Sequence, residues 1–368
     1  MYSMNNDINR FIDRNWHHYA TQYPSFKLYQ DWDLYKDSNG KKISYLVEFS
    51  PSTENITKLI NKIKKHLEIA DHVYVDLGEP GFSYKDINAP IDKTTGRPTG
   101  RYYGTVDFIN DNFKQSDRVT FFGCVVPLKQ TVRPLYFFND MFFQDILLYQ
   151  TNDFCIDLLK KLKSYNNKKQ HCWEIMCSRH TDIYKQLKNH AVDGSTFSTC
   201  HALGISSWSK DVVAPTNTPA ENISNDSNIR CSDLIDPEIY NNSYYSCVIE
   251  TVIPADNSFA MFSEKEAKPI VAKRPFIIVG AKGHLRAFRN LGFKTFSPVI
   301  DESYDNEPNK DKRVHMIFDA MEKLSKKDPV EVYQALEPIL EHNKKHFENK
   351  NNWNKEFLDA WKFGTINL

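Results

Sequence analysis

Residues Ile249 to Gly280 read I-E-T-V-I-P-A-D-N-S-F-A-M-F-S-E-K-E-A-K-P-I-V-A-K-R-P-F-I-I-V-G. Three signals follow one another here. The apolar run Ser246–Ile253 ends at the start of the stretch, a helix opens at Ser263, and Pro275–Gly280 has the composition of a buried strand. A strand, a helix and a second strand in that order form a βαβ unit, which implies parallel pairing.

The same alternation extends outward. Upstream, Cys172–Cys177 reads as a strand and Thr181–Ala191 as an amphipathic helix, followed by a polar surface loop over Val212–Asp233. Downstream come a short helix from His284 to Asn290 and a strand over Phe293–Phe296. The tail from Asp311 to Phe363 reads as helical, with weak points at Asp328-Pro329 and Pro338. The N-terminal half repeats the pattern. Lys42–Glu48 alternates like a strand, and Ile56, Leu59, Ile60, Ile63 and Leu67 recur at helical spacing. His72–Leu77 is then a strand that ends in Gly78-Glu79-Pro80-Gly81, Val119–Val126 is another, and Phe138–Leu162 reads as helical. The expected fold is therefore α/β in two halves joined near residue 165, at the Lys/Asn-rich stretch Lys160 to Lys169. We expect lobes at 1–165 and 166–330 and C-terminal helices over 331–368; the strand order is not legible.

At 368 residues the chain suits two domains of ordinary size. Its 47 Lys+Arg balance 47 Asp+Glu, so no global field draws in nucleic acid or an anionic membrane. Aromatic content of 13% and a mean hydropathy of -0.57 leave enough apolar residues for real cores. No run approaches the roughly 20 apolar residues of a membrane span. The polar start from Met1 to Asp7 is unlike a signal peptide, and seven scattered cysteines suit reduced thiols. The expectation is a soluble, cytoplasmic protein, in host cytoplasm if viral.

Ser263 is placed as an N-cap, and Glu266 three residues on completes a capping box. Glu264 and Lys265 then fall in the first turn, where free N–H groups and the positive dipole end attract phosphate. A carboxylate there can accept both hydroxyls of a ribose. The adjacent Lys265 offers a point charge to a diphosphate, and Lys268 lies one turn on. Pro269 makes the helix short or kinked. The plain alternative is a well-capped surface helix.

In its longer context the stretch resembles the nucleotide-binding segment of the α1,3-fucosyltransferase family, whose pattern is roughly F-E-N-S/T…Y-[IV]-T-E-K-[LI]-x-[RN]-[PA] followed by a helix and a strand. Ile249-Glu250-Thr251 stands for F-E-N, Met261-Phe262-Ser263-Glu264-Lys265 for Y-[IV]-T-E-K, and Arg274-Pro275-Phe276-Ile277-Ile278 for the later strand. The block with its continuation (Leu291–Phe296, Ile300–Asp305) is also similar to glycosyltransferase-like proteins of large bacteriophages. Upstream, Glu174 to His180 followed by Ile183 to Leu187 resembles that family's strand–Ser/Asn–Arg–helix segment, which makes Arg179 a diphosphate ligand.

The resemblance covers about a third of the chain, Trp173–Asp305. It implies two Rossmann-like lobes facing a cleft (GT-B-like) and a nucleoside-diphosphate sugar, GDP- or UDP-linked, as co-substrate. It implies metal-independent and inverting transfer to a glycan or a hydroxylated, phage-type DNA base, with no other cofactor. Thr251 in place of Asn leaves the base open. Substrate contacts would come from Arg179, Glu250, Thr251, Ser263, Glu264, Lys265 and Lys268. Inverting transfer needs a general base. The carboxylates best placed for it are Asp76 and Glu79, at a strand end opening into a Gly-containing loop. Turn chemistry alone is the other account of that loop. A non-catalytic nucleotide-binding or interaction protein is the rival reading.

Other signals carry less. His171, Cys172, Cys177 and His180 have no standard zinc spacing. Asp31-Trp32-Asp33 lacks a preceding buried strand, and neither G-x-x-x-x-G-K-[ST] nor G-x-G-x-x-G occurs. Asp301, Glu302 and Asp305 form an acidic loop that closes over a donor or is a solvated turn anchored by Tyr304. Lys160, Lys161, Lys163, Lys168 and Lys169 are the densest basic set, read as a solvated face that could otherwise meet a polyanion.

Overall fold

The computed structural model describes residues 32–36, 42–47, 53–76, 91–92, 97–98, 105–123, 125–133, 135–137, 149–150, 153–177, 183, 186, 195–198, 235–250, 252–254 and 257–349. The architecture is mixed α/β, built on two parallel-rich sheets. The N-terminal sheet contains β1 (Trp32–Lys36), β2 (Lys42–Val47), β3 (His72–Asp76), β6 (Val119–Gly123) and β8 (Leu135–Phe137), in the order β1-β2-β3-β6-β8. All neighbours pair parallel except the edge strand β1, which is antiparallel to β2. A two-residue pair, β4 (Ile91–Asp92) with β5 (Arg97–Pro98), stands apart.

Helix α1 (Thr53–Ile69) crosses from β2 to β3, as the change of period from 2 to 3.6 predicts. Leu59 and Ile63 bury completely while Lys58, Lys64 and Lys65 stay exposed. With α2 (Thr105–Asn112), they close a core in which Phe108, Phe113 and Phe121 meet edge to face at 5.2–6.2 Å.

The C-terminal sheet is fully parallel, in the order β10 (Ser195–Ser198), β9 (His171–Cys177), β11 (Ser243–Ile249), β13 (Phe276–Val279). Helices α3 (Asp153–Lys160), α4 (Pro237–Asn242), α5 (Glu264–Val271), α6 (His284–Asn290), α7 (Lys310–Ser325) and α8 (Pro329–Glu348) surround it. Trp173 lies fully buried on β9 and donates its indole N–H to Ser325 Oγ at 2.8 Å, so its one polar atom is satisfied. The helical tail divides at the expected weak point. Asp328 caps α8 by accepting from Val330 N at 2.7 Å, and Pro338 is carried within that helix.

The run Val119–Val126 serves two sheets: β6 belongs to the N-terminal sheet, whereas β7 (Val125–Pro127) pairs antiparallel with β12 (Phe259–Met261). Val252, Phe259 and Met261 accordingly join the N-terminal core, although they follow β11 in sequence. Phe293–Phe296 forms no strand. Phe293 and Phe296 are buried, but the Asn343 side chain takes the place of a neighbouring strand, accepting from Lys294 N and donating to Lys294 O, each at 2.8 Å. The basic set is also corrected in part. Lys160, Lys161, Lys163 and Lys168 are exposed, but Lys169 is buried.

Candidate functional site at the carboxyl end of the C-terminal sheet

Parallel strands gather ligands beyond their carboxyl ends. In the C-terminal sheet that edge is marked by Glu250 after β11 and Gly280 after β13, held together by the Glu250 N to Val279 O bond at 3.1 Å. The chain then runs out through β12 and returns at Ser263, whose extended backbone (φ -137°) starts α5. The capping box forms in full. Ser263 Oγ accepts from Lys265 N at 3.3 Å, and Glu266 Oε2 accepts from Ser263 N at 3.0 Å. The helix stops after eight residues, three beyond Lys268, with Pro269 inside it.

This cap lies in the interior. Ser263, Glu266 and Glu250 are buried, and Ser263 Oγ donates to Glu250 Oε1 at 2.9 Å. Glu250 and Glu266 also hydrogen-bond to each other. Burial raises both carboxyls, and the charge of Glu266 pushes Glu250 further, well above the carboxylate range.

Lys265 Nζ pairs with Glu264 Oε1 at 3.1 Å and lies 3.4 Å from Ser263 Oγ. The side chains are 8% and 14% exposed, so neither points into bulk solvent. Burial alone would raise Glu264, but the Lys265 and Lys268 charges outweigh it and bring it down to about 2. Burial alone would lower Lys265, but Glu264 and Glu250 outweigh it and hold it above the usual lysine value. Both groups are therefore ionised at pH 7.

His284, the first residue of α6, completes the cluster. Burial outweighs the carboxylates of Glu250 and Asp305 and lowers it to about 4, so the ring is neutral. Its Nε2 faces Glu266 Oε1 at 3.6 Å, and neither atom has a hydrogen-bond partner among the described residues. The ring packs edge-on against Phe262 at 4.6 Å and fills the space a side chain on Gly280 would need. Sequence reasoning missed His284, because a single histidine at a helix start has no distinguishing pattern.

The acidic loop is a 3-10 turn (Ser303–Asn306) with Tyr304 buried, as the anchored-turn reading has it. Asp305 is not solvated. Its carboxylate accepts from Leu285 N at 2.9 Å and Arg286 N at 3.1 Å, capping α6 beneath His284. Arg313 ties in the same region by donating to Gly280 O at 3.0 Å.

Of the sequence-predicted residues, Glu250, Ser263, Glu264 and Lys265 come together here, with Lys268 on the same helix. Arg179, Thr251 and Glu79 lie outside the described residues. Asp76 ends β3, at the carboxyl end of the N-terminal sheet, and its side chain is outside the description. Cys172 donates to Ser325 Oγ at 3.3 Å and Cys177 is buried on β9. Among the described residues no three His, Cys, Asp or Glu side chains gather to hold a metal ion. None of their helices is long and apolar enough to cross a membrane. Comparison with protein-family models, curated proteins and solved structures finds no match.

Proposed function

We propose that the protein is a glycosyltransferase that moves a sugar from a nucleoside diphosphate to an acceptor hydroxyl. The observation that carries this reading is the ionised Glu264–Lys265 pair, shielded at the N-terminus of α5 beyond the carboxyl end of a parallel sheet. In this reading Glu264 accepts the ribose hydroxyls. Lys265, with Lys268 and Arg179, neutralises the leaving diphosphate, the part a metal plays in other transferases. Glu250 and Ser263 fix the turn that presents them. Thr251 borders the base, and Asp76 or Glu79 removes the acceptor proton across a GT-B-like cleft between two lobes. The acceptor is a glycan or a hydroxylated DNA base, and the reaction takes place in the cytoplasm.

A second reading has its own support. Glu264 and Lys265 already satisfy each other, which suits a non-catalytic nucleotide-binding protein derived from such an enzyme. A thermal-shift screen against UDP, GDP and their sugars separates the readings, because a ligand at about 100 times its Kd adds roughly 2.7 kcal/mol. Stabilisation with sugar transfer or hydrolysis is the expected result. Stabilisation without turnover leaves the binding protein, and no stabilisation by any nucleotide ends both.

A further inference from the structure

The amino end of the same sheet carries a different chemistry. A cavity of about 380 Å³ opens there, beside the first residues of β9, β11 and β13. Val271 and Ala272, at the carboxyl end of α5, line it, whereas Lys265 lies at the amino end of that helix, about 9 Å from Val271 along the axis. The cavity's volume is at the small end of the range for ligand sites.

Lys169, Arg274 and Lys163 line this cavity. Lys169 is buried, and its ammonium donates to Tyr240 O at 3.1 Å and Asn241 O at 3.3 Å. These carbonyls end α4, so the cation complements that helix's negative pole. An ammonium has three N–H donors; two go to these carbonyls, and the Tyr244 ring lies 5.9 Å from the ammonium. Arg274 donates to the same Tyr240 O and to Ser243 Oγ, and stacks on the Tyr240 ring at 4.1 Å. Its nearest carboxylate is Glu174 at 3.9 Å. No carboxylate pairs with Lys169 or with the exposed Lys163 among the described residues. Burial, Arg274 and Lys163 together bring Lys169 down to about 8, so both neighbouring cations disfavour its charge.

By contrast, Lys273 and Lys344 on the cavity's edge already have partners in Glu341 at 2.6 Å and Glu348 at 3.0 Å. The remaining lining is mixed: Ser164 and the carboxylate of Glu337 sit on it, and the rest is apolar and aromatic. Leu159, Leu162 and Leu340 contribute, and Tyr165 lies flat on Tyr333 at 4.6 Å. An anionic head with an apolar body suits both halves of this lining, and a dianion relieves the cation cluster better than a monoanion does.

We propose that this cavity binds a small phosphomonoester, its phosphate on Lys163, Lys169 and Arg274 and its apolar or aromatic body against Tyr165 and Leu162. The site is independent of the nucleotide-sugar reading. Calorimetric titration of the full chain with phenyl phosphate, inorganic phosphate and benzyl alcohol tests it. One saturable site for phenyl phosphate is expected, with affinity about tenfold above either of the other two probes. Lys163→Glu, on an exposed side chain, weakens binding at least about tenfold, Lys163→Arg retains it, and Lys169→Gln weakens it further. Lys312→Ala, on an exposed side chain outside the cavity, leaves it unchanged. The proposal is overturned by absence of saturable binding, by equal affinity for inorganic phosphate, by insensitivity to Lys163→Glu, or by sensitivity to Lys312→Ala.

Discussion

Lys265→Met removes the cation on which the carboxyl-end cluster depends, and the structure sets the size of the loss. Glu264 is held at about 2 against an ordinary 4.5. That difference corresponds to about 3 kcal/mol of stabilisation at neutral pH. It agrees with the roughly 3–5 kcal/mol lost when one partner of a buried ion pair is deleted. The methionine keeps most of the aliphatic volume, so packing contributes little to the change.

The pH dependence follows from the direction of the shift. A carboxylate whose folded value is depressed stabilises above its unfolded value, and that stability disappears as pH falls through the folded value. The gap between wild type and Lys265→Met in urea denaturation is therefore full at pH 7. It begins to close below about pH 4.5 and is nearly gone near pH 2. Lys265, shifted upward, adds a contribution lost only above its unfolded value of 10.5, outside this window. Adding Glu264→Gln to the methionine variant restores part of the loss, since no buried charge is then left alone. A gap below about 1 kcal/mol at pH 7, or one constant down to pH 3, would refute the reasoning.

Three further outcomes are expected. Gly280→Ala sets a methyl 2.2 Å from His284 Nδ1, and displacing the ring lowers stability by about 1–3 kcal/mol, read as a drop in Tm. Asp305→Ala deletes both acceptors that cap α6 and costs about 1–2 kcal/mol in chemical denaturation, whereas Asp305→Asn retains part of it. His284 gives no imidazole titration by NMR between pH 8 and pH 5, because its folded value is about 4; a midpoint near 6.5 would contradict its burial.

What the sequence made legible was mostly local. The period change that yields β2, α1 and β3 lies within about 35 residues. The Ser263 cap with Glu266 is decided by residues three apart. What stayed hidden depends on distant partners. Phe293–Phe296 looks like a strand, and only Asn343 on α8 removes the need for one. The separate pairing of β7 follows from Phe259–Met261, more than a hundred residues later. Lys169 belongs to a basic run that reads as solvated, yet the carbonyls ending α4 draw its side chain inside. The role of Arg179 rests on resemblance, which adds no geometry of its own, and that of Asp76 rests on its place at the end of β3.

The proposed nucleotide has to deal with a pair that is already closed. Lys265 and Glu264 are both shielded from solvent, so a ligand that takes up only one partner leaves the other charge poorly solvated. Pyrophosphate compensates Lys265 and abandons Glu264, while a nucleoside does the reverse. An intact nucleoside diphosphate replaces both partners at once, with its diol on the carboxylate and its diphosphate on the ammonium. Its binding free energy therefore exceeds the sum for its two halves, because each half alone bears the full cost of opening the pair. On the proposed reading the pair would select for a ligand that carries diol and diphosphate at a fixed separation, a stricter condition than a surface lysine beside a free helix end would impose.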